Sequence, residues 1–457
     1  MLPCSVFSAW LNNGEQIPVP SAVMTKKLQF ILLVGTVAIL PLLVWRLLPM
    51  VPMRGEQPAL YEKGQTFPES PIRFKRTSVG EGVRGLPLIA NVQIVDFDGD
   101  GRNEILVCDI TGSRITLVEA DKHNQWTERI LVEHVSVPAH VTAVDFDGDG
   151  DQDLLVAILG NILPDDGVIG RVEYYENLGT EFRKHVLLDH VRRVADVRPG
   201  DFDGDGDLDL AVAVFGYARG QVLWLENQGN LHFVEHELHR APGTIHVPIG
   251  DFDGDGDLDI AAIVSQDEEE LLIFDNQGQG QFHPRRIWKS VNLDLGSAGL
   301  VAADLDRDGD LDFILPAGDN LEDAEAYPQP YHGCLWFENQ GEWKFISHRI
   351  SHLGGTYAAA VGDLDGDQDE DIVLVSMAND WNDPGHASLV WLENNGQQDF
   401  RSWQIDSQPI HQITIAMGDL NHDGRMDLVA GGLNLRRPYH RMGRITMWLQ
   451  DPVSHAP

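Results

Sequence analysis

The sequence predicts an all-β fold: a seven-bladed β-propeller of four-stranded blades, preceded by a single N-terminal transmembrane helix. Three observations predict it. An Asp-rich nine-residue pattern recurs seven times, about four short strand-like runs surround each copy, and one long apolar run lies near the amino terminus.

Residues 1–23 show no periodicity, and Met24-Thr25-Lys26-Lys27 reads as the true beginning. Leu28 to Trp45 then runs 18 residues without a charge, followed by Arg46 and more apolar residues to Met53. A membrane helix needs about 20 apolar residues, and an arginine near its end can reach the headgroups. Lys26 and Lys27 ahead of the run keep residues 1–27 cytoplasmic by the positive-inside rule and send the rest across. Arg46 to Met53 offers no small-x-small cleavage site, so residues 28–48 are expected to remain as a signal anchor. This makes a single-pass membrane protein with its repeats in the periplasm or at the cell surface. The Pro- and Gly-containing stretch 49–71 reads as a linker, 72–451 as the propeller and 452–457 as a tail.

The seven Asp-rich copies begin at Asp96, Asp145, Asp201, Asp251, Asp304, Asp363 and Asp419, at steps of 49, 56, 50, 53, 59 and 56 residues. Each approximates Asp-x-Asp-x-Asp-Gly-x-x-Asp. So many carboxylates in nine residues repel one another unless a cation sits among them, and a hard ion that takes six to eight oxygens, Ca²⁺, suits them best. The expected ligands of the first loop are Asp96, Asp98, Asp100 and Glu104, and of the second Asp145, Asp147, Asp149 and Asp153. The third offers Asp201, Asp203, Asp205 and Asp209, and the fourth Asp251, Asp253, Asp255 and Asp259. The fifth offers Asp304, Asp306, Asp308 and Asp312, the sixth Asp363, Asp365, Asp367 and Asp371, and the seventh Asp419, Asn421, Asp423 and Asp427. Up to seven Ca²⁺ ions are thus expected. The Gly at position 6 supplies a positive φ; the sixth loop has Gln368 there and is expected to be strained.

Around each loop the chain parses into strands. In the second repeat these are Val141 to Phe146, Leu154 to Leu159, Arg171 to Glu176 and Phe182 to Leu188. Third strands carry a signature, as in Trp224-Leu225-Glu226-Asn227 and Trp336-Phe337-Glu338-Asn339, whose aromatic is expected to pack between sheets and whose Asn opens a hairpin. Four strands per unit, seven times over, is the arithmetic of a propeller. The last unit stops after its third strand, and Ile72 to Val79 resembles the missing fourth, so the amino-terminal strand should close the ring.

Composition agrees. With 33 basic against 71 acidic residues the formal charge is −38, and seven Ca²⁺ would offset 14 of those charges. Such a surface excludes nucleic acid as a partner, since phosphate binding needs a basic one. Cys4, Cys108 and Cys334 form no motif; the latter two fall in strands of distant repeats and read as buried apolar residues.

The seven loops resemble those of the FG-GAP/VCBS repeat proteins, which include the integrin α-subunit propeller and many bacterial surface proteins. The resemblance covers about residues 72–451. It implies calcium ligation by the acids of each loop; its functional message is broad, because the family includes adhesion proteins, lectins and a few lyases.

Ligands are expected on the face opposite the acidic loops. Five residues before successive loops stand Asn91, His140, Asp196 and His246, which could form a polar arc at the channel mouth, suited to a transition metal, a sugar or ordered water. Among the loops joining second and third strands, the two longest hold Tyr327, Tyr331, Trp381 and His386, expected as exposed rings beside carboxylates. Function is read as protein or glycan recognition, an adhesion or scaffold role. The alternative is a polysaccharide lyase or hydrolase, with His140 or His246 as base and Arg198 or Arg219 neutralising a uronate. No Ser/His/Asp order, HExxH or nucleophile elbow accompanies it.

Overall fold

The structure, a computed structural model, describes residues 66–80, 86–163, 165–266, 268–319, 328–383, 385–435 and 444–452. The expected cytoplasmic segment 1–27, the anchor 28–48, most of the linker, Tyr327 and residues 436–443 lie outside them. Everything below belongs to the unit Pro58–Pro457. Among the described residues no helix is long and apolar enough to cross a membrane.

Each Asp-rich pattern is a turn between two strands because Asp and Gly satisfy and permit tight backbone turns while the flanking Val, Ile and Leu favour pleated sheet. The second blade shows the plan. Pro138–Val144 descends into the acidic loop, Asp153–Ile158 leaves it, Gly170–Asn177 follows, and Phe182–Val191 closes the sheet. All neighbours are antiparallel. Six further sheets repeat this order, seven blades in all. In the fourth blade the inner strand is split into Thr244–His246 and Ile249–Gly250, where Pro248 has no N–H to give the ladder.

The ring closes as the sequence predicts. Phe74–Val79 pairs antiparallel with Ile445–Gln450 and becomes the outer strand of the seventh blade. Arg444, almost fully buried, ties that blade to the first, its Nη1 lying 2.9 Å from Asp109 Oδ2 and 2.8 Å from Glu128 Oε1. The linker ends earlier than expected: Ser70 N donates to Gln404 O and Gln404 N to Pro68 O, so residues 68–70 already dock on the sixth blade.

Second strands are buried along almost their whole length, and apolar clusters lie between successive blades. The third-strand aromatics take part, Trp336 at 4% exposure and Trp391 at 1%. Cys108 and Cys334 are buried free thiols, as expected. By this topology all the acidic loops project from one face. The loops joining strands two and three, and the connections between blades, project from the other.

Candidate functional site

The acidic loops are built from their own backbone. In the second, Gly148 N donates to Asp145 Oδ1 at 2.9 Å and Gly150 N to Asp145 Oδ2 at 3.1 Å, which curls the chain around its first carboxylate. This curl needs positive φ at positions 4 and 6, +76° at Gly148 and +99° at Gly150. Gln368 adopts +80° and its N–H still reaches Asp363 Oδ2 at 3.1 Å, so the sixth loop keeps the shape under the expected strain. Position 4 escaped sequence reading. Arg307 and His422 also stand at positive φ there, where the other five loops have Gly.

The ninth-position acid is the keystone of each loop. Asp312 Oδ2 accepts Leu305 N and Trp336 Nε1, and its Oδ1 accepts Asn339 N at 2.7 Å. Asn339 in turn donates Nδ2 to Leu311 O and Phe252 O, the latter across to the preceding blade. The same set recurs at Asp209 with Trp224 and Asn227, and at Asp153 with the hydroxyl of Tyr174 and with Asn177. Signature aromatic and Asn therefore do more than pack and turn. They staple the loop to the hairpin beneath, a role signalled by their co-occurrence with the ninth acid in repeat after repeat.

Burial pushes several of these carboxyls up, Glu104, Asp259, Asp312 and Asp371 to about 7 and Asp209 and Asp427 to about 6. A buried acid under such pressure needs a positive partner to stay ionised. The loop geometry can give it one. Ligand atoms of Asp96, Asp98 and Glu104 lie within 4.8 Å of one another, as do those of Asp145, Asp147 and Asp153, and those of Asp201, Asp203 and Asp205. Asp251, Asp253 and Asp255, and Asp304, Asp306 and Asp308, converge likewise. Asp96 Oδ1 and Asn421 Oδ1 are buried without a hydrogen-bond partner, so oxygens at ligand positions are unmet by the protein itself. An all-oxygen, anionic donor set of this kind can hold a hard metal ion.

At the opposite end of the channel the structure brings Asn91, His140, Asp196 and His246 into one arc on the inner strands of blades one to four. A β-bulge precedes each of them, at Ile89/Asn91, Pro138/His140, Val194/Asp196 and Thr244/His246. Bulges re-aim side chains, and the repetition shows why these positions reach around the ring. Asn91 Oδ1 accepts Val141 N of the next blade at 3.4 Å, and Asp196 Oδ2 accepts Val247 N at 3.2 Å. Asp196 is fully buried; burial opposes its ionisation, but Arg198, His140 and His246 hold its carboxyl well below the usual range. His140, 8% exposed, is pushed down to about 3 by burial and by Arg198 and is neutral near pH 7. Arg198 Nε sits 3.1 Å from Asp196 Oδ1, whereas Arg219 lies in an exposed turn.

The outer-loop aromatics are less displayed than expected. Tyr331 and Trp381 are half-buried, and Trp381 packs edge-on against His411 with ring centroids 5.8 Å apart. His386 is 3% exposed, its Nδ1 donating to Asp380 O at 3.0 Å, so it braces its own loop instead of facing solvent. Exposed apolar side chains on this face are Leu163, Val168, Ile169, Tyr217, Val291 and Leu293. A cavity of about 550 Å³ lies instead beside the fifth acidic loop, between Val301, Ala303, Val361 and the Arg307–Glu370 ion pair.

A family model described as FG-GAP-like repeat matches residues 96–156, 201–262, 262–315 and 363–430. No curated protein matches the chain. Among solved structures, virginiamycin B lyase from Staphylococcus aureus superposes with a TM-score of 0.52 at 11% identity, over 82% of this chain and 99% of that one. The BBS1N chain from its complex with ARL6DN gives 0.50 at 11% identity, over 84% and 98%. At such identity these likenesses show a shared fold.

Proposed function

The chain belongs to the family of FG-GAP-like repeat proteins, and from that premise we propose that it is a calcium-rigidified recognition module. In this reading Ca²⁺ fills the acidic loops, the apolar segment 28–48 anchors the chain in a membrane, and the propeller stands outside the cytoplasm. A protein or glycan partner binds the face opposite the calcium loops.

The chemical division between the two faces carries the proposal. One end of the ring is given to seven near-identical acidic loops stapled into the blades, a uniformity that suits stability. The other end varies from blade to blade in length and chemistry, and six large apolar side chains stand exposed there among the described residues. Variable loops on a rigid frame are where binding residues gather. Extracellular calcium modules work at about 10⁻⁴–10⁻³ M, which fits a compartment where calcium is plentiful.

The test is retention of the full-length chain, in mild detergent with 1 mM Ca²⁺, on a glycan array and on a display library of extracellular proteins. Tyr217→Ser and Leu163→Ser should weaken a genuine hit at least tenfold with the fold intact. Hits insensitive to every change on that face, and equally to calcium removal, would sink the reading. Turnover of a retained polysaccharide would move it to the lyase.

A further inference from the structure

We propose that His140, Asp196 and His246 form a second metal site, for a borderline transition ion of the Zn²⁺ class, at the mouth of the channel and chemically distinct from the acidic loops. The inference does not depend on the recognition reading.

Three neighbouring blades contribute one residue each, and each is delivered by a bulge in the innermost strand. His140 Nδ1 lies 3.3 Å from Asp196 Oδ1, and His246 Nδ1 lies 3.5 Å from Asp196 Oδ2. Asp196 Oδ1 is buried and accepts no hydrogen bond among the described residues, although His140 Nδ1 and Arg198 Nε both approach it as ion-pair partners. Zinc binds imidazole nitrogen and carboxylate oxygen at about 2.0–2.2 Å. Ligand atoms around an ion of that size stand about 3.3–3.5 Å apart, and each imidazole nitrogen lies at that spacing from one of the two oxygens of Asp196.

The surroundings fit the same ion. Asp196 Oδ2 accepts Val247 N at 3.2 Å, and Arg198 Nε sits 3.2 Å from Oδ2 and 3.1 Å from Oδ1, which fixes the carboxylate with one oxygen toward each imidazole. Outer contacts of that kind orient metal-binding carboxylates. Two imidazoles do not suit Ca²⁺, which takes oxygen, and so the two classes of site select different ions. Three protein donors leave a fourth position for water or a ligand atom, and His246, its side chain 29% exposed, opens it toward solvent.

The experiment is titration of the full-length chain in mild detergent with Zn²⁺ by calorimetry, in 5 mM Ca²⁺ to saturate the acidic loops, with Co²⁺ absorption as the spectroscopic probe. One Zn²⁺ equivalent is expected, with visible Co²⁺ bands of a four-coordinate site containing nitrogen donors. His140→Gln and His246→Gln should each weaken it at least tenfold while the calcium-dependent melting temperature stays unchanged. Should His140→Gln fail to fold, His246→Gln, at the more exposed residue, decides alone. Absence of a Zn²⁺ equivalent in calcium buffer, or one that survives His246→Gln, overturns the proposal. Either result leaves the calcium response as it was.

Discussion

Calcium removal should cost this ring most of its stability. At least five loops bring three acid ligands within 4.8 Å, and each can take one ion. At free calcium tenfold above a dissociation constant of about 10⁻⁴ M, a site that exists only in the folded state adds about 1.4 kcal/mol, RT ln 11. Five such sites contribute about 7 kcal/mol, which is comparable with the whole stability of an ordinary domain, about 5–15 kcal/mol. For a ring of this size, with an unfolding entropy of about 2 cal/mol/K per residue, that corresponds to about 10 °C in melting temperature. Part of the cost comes from the buried ninth-position acids, which without a cation must take up a proton or stay charged against low dielectric. The assay is thermal unfolding followed by far-ultraviolet circular dichroism, with calcium stepped from chelated to 10 mM. The melting temperature should climb steadily with the logarithm of calcium and differ by about 10 °C between chelated and 1 mM. A chelated melt within 2 °C of the calcium-saturated one would refute the reasoning, because the loops would then be self-sufficient turns.

Backbone strain and proton linkage make two further predictions. Gln368→Gly should stabilise the calcium-saturated protein by up to about 1 kcal/mol, whereas Gly150→Gln, at φ +99° with open space around it, should cost roughly 1–2 kcal/mol in urea denaturation; equal signs would contradict the conformational argument. His332 is 1% exposed, its Nδ1 accepting Gln329 N and Gly355 N, and burial together with Arg349 pushes it down to about 4. Because its folded value lies below the unfolded one of about 6.5, its contribution is complete above pH 6.5 and is lost as pH falls toward 4, by about 3 kcal/mol. In calcium-saturated unfolding, His332→Asn should flatten the stability loss between pH 6.5 and 4 relative to wild type; identical slopes would count against the linkage.

What was legible in the sequence was whatever repeats. Seven copies of a nine-residue loop fix a period, and a period of about 50 residues with alternating apolar runs leaves few architectures besides a ring of blades. Even ring closure could be read, since in the sequence Phe74 to Val79 looks like a fourth strand without a blade and the last unit ends on its third strand, Ile445–Gln450, with which it pairs. The arc of Asn91, His140, Asp196 and His246 was visible for the same reason, as equivalent positions in equivalent strands. Features set by geometry within one unit were not. That Trp336 closes on Asp312 through its indole N–H depends on where two strands cross, not on spacing along the chain. His386, a polar residue in a long loop, was expected at the surface and is buried because its ring turns back to bond its own loop at Asp380 O.

The contrast between the two metal environments follows from this division. A loop that makes its own site can be copied, because all its donors come from nine consecutive residues, and such copies are what a sequence displays. The channel mouth takes one side chain from each of three blades, so it occurs once and only where the ring places His140, Asp196 and His246 side by side. In the other four blades the equivalent positions are Asn91, Gly299, Ala358 and Thr414, which offer neither an imidazole nor a carboxylate. Symmetry of the backbone with asymmetry of the side chains at one level of the channel is how a repeat protein can confine a specific site to one sector of an otherwise uniform ring. Replacing Asp196 by Asn should therefore disturb zinc binding at the mouth and leave calcium binding at all the acidic loops as it is in wild type. A loss of calcium affinity in that variant, read by the same calorimetry, would mean that the two ends of the blades are energetically coupled and that the sites do not act independently.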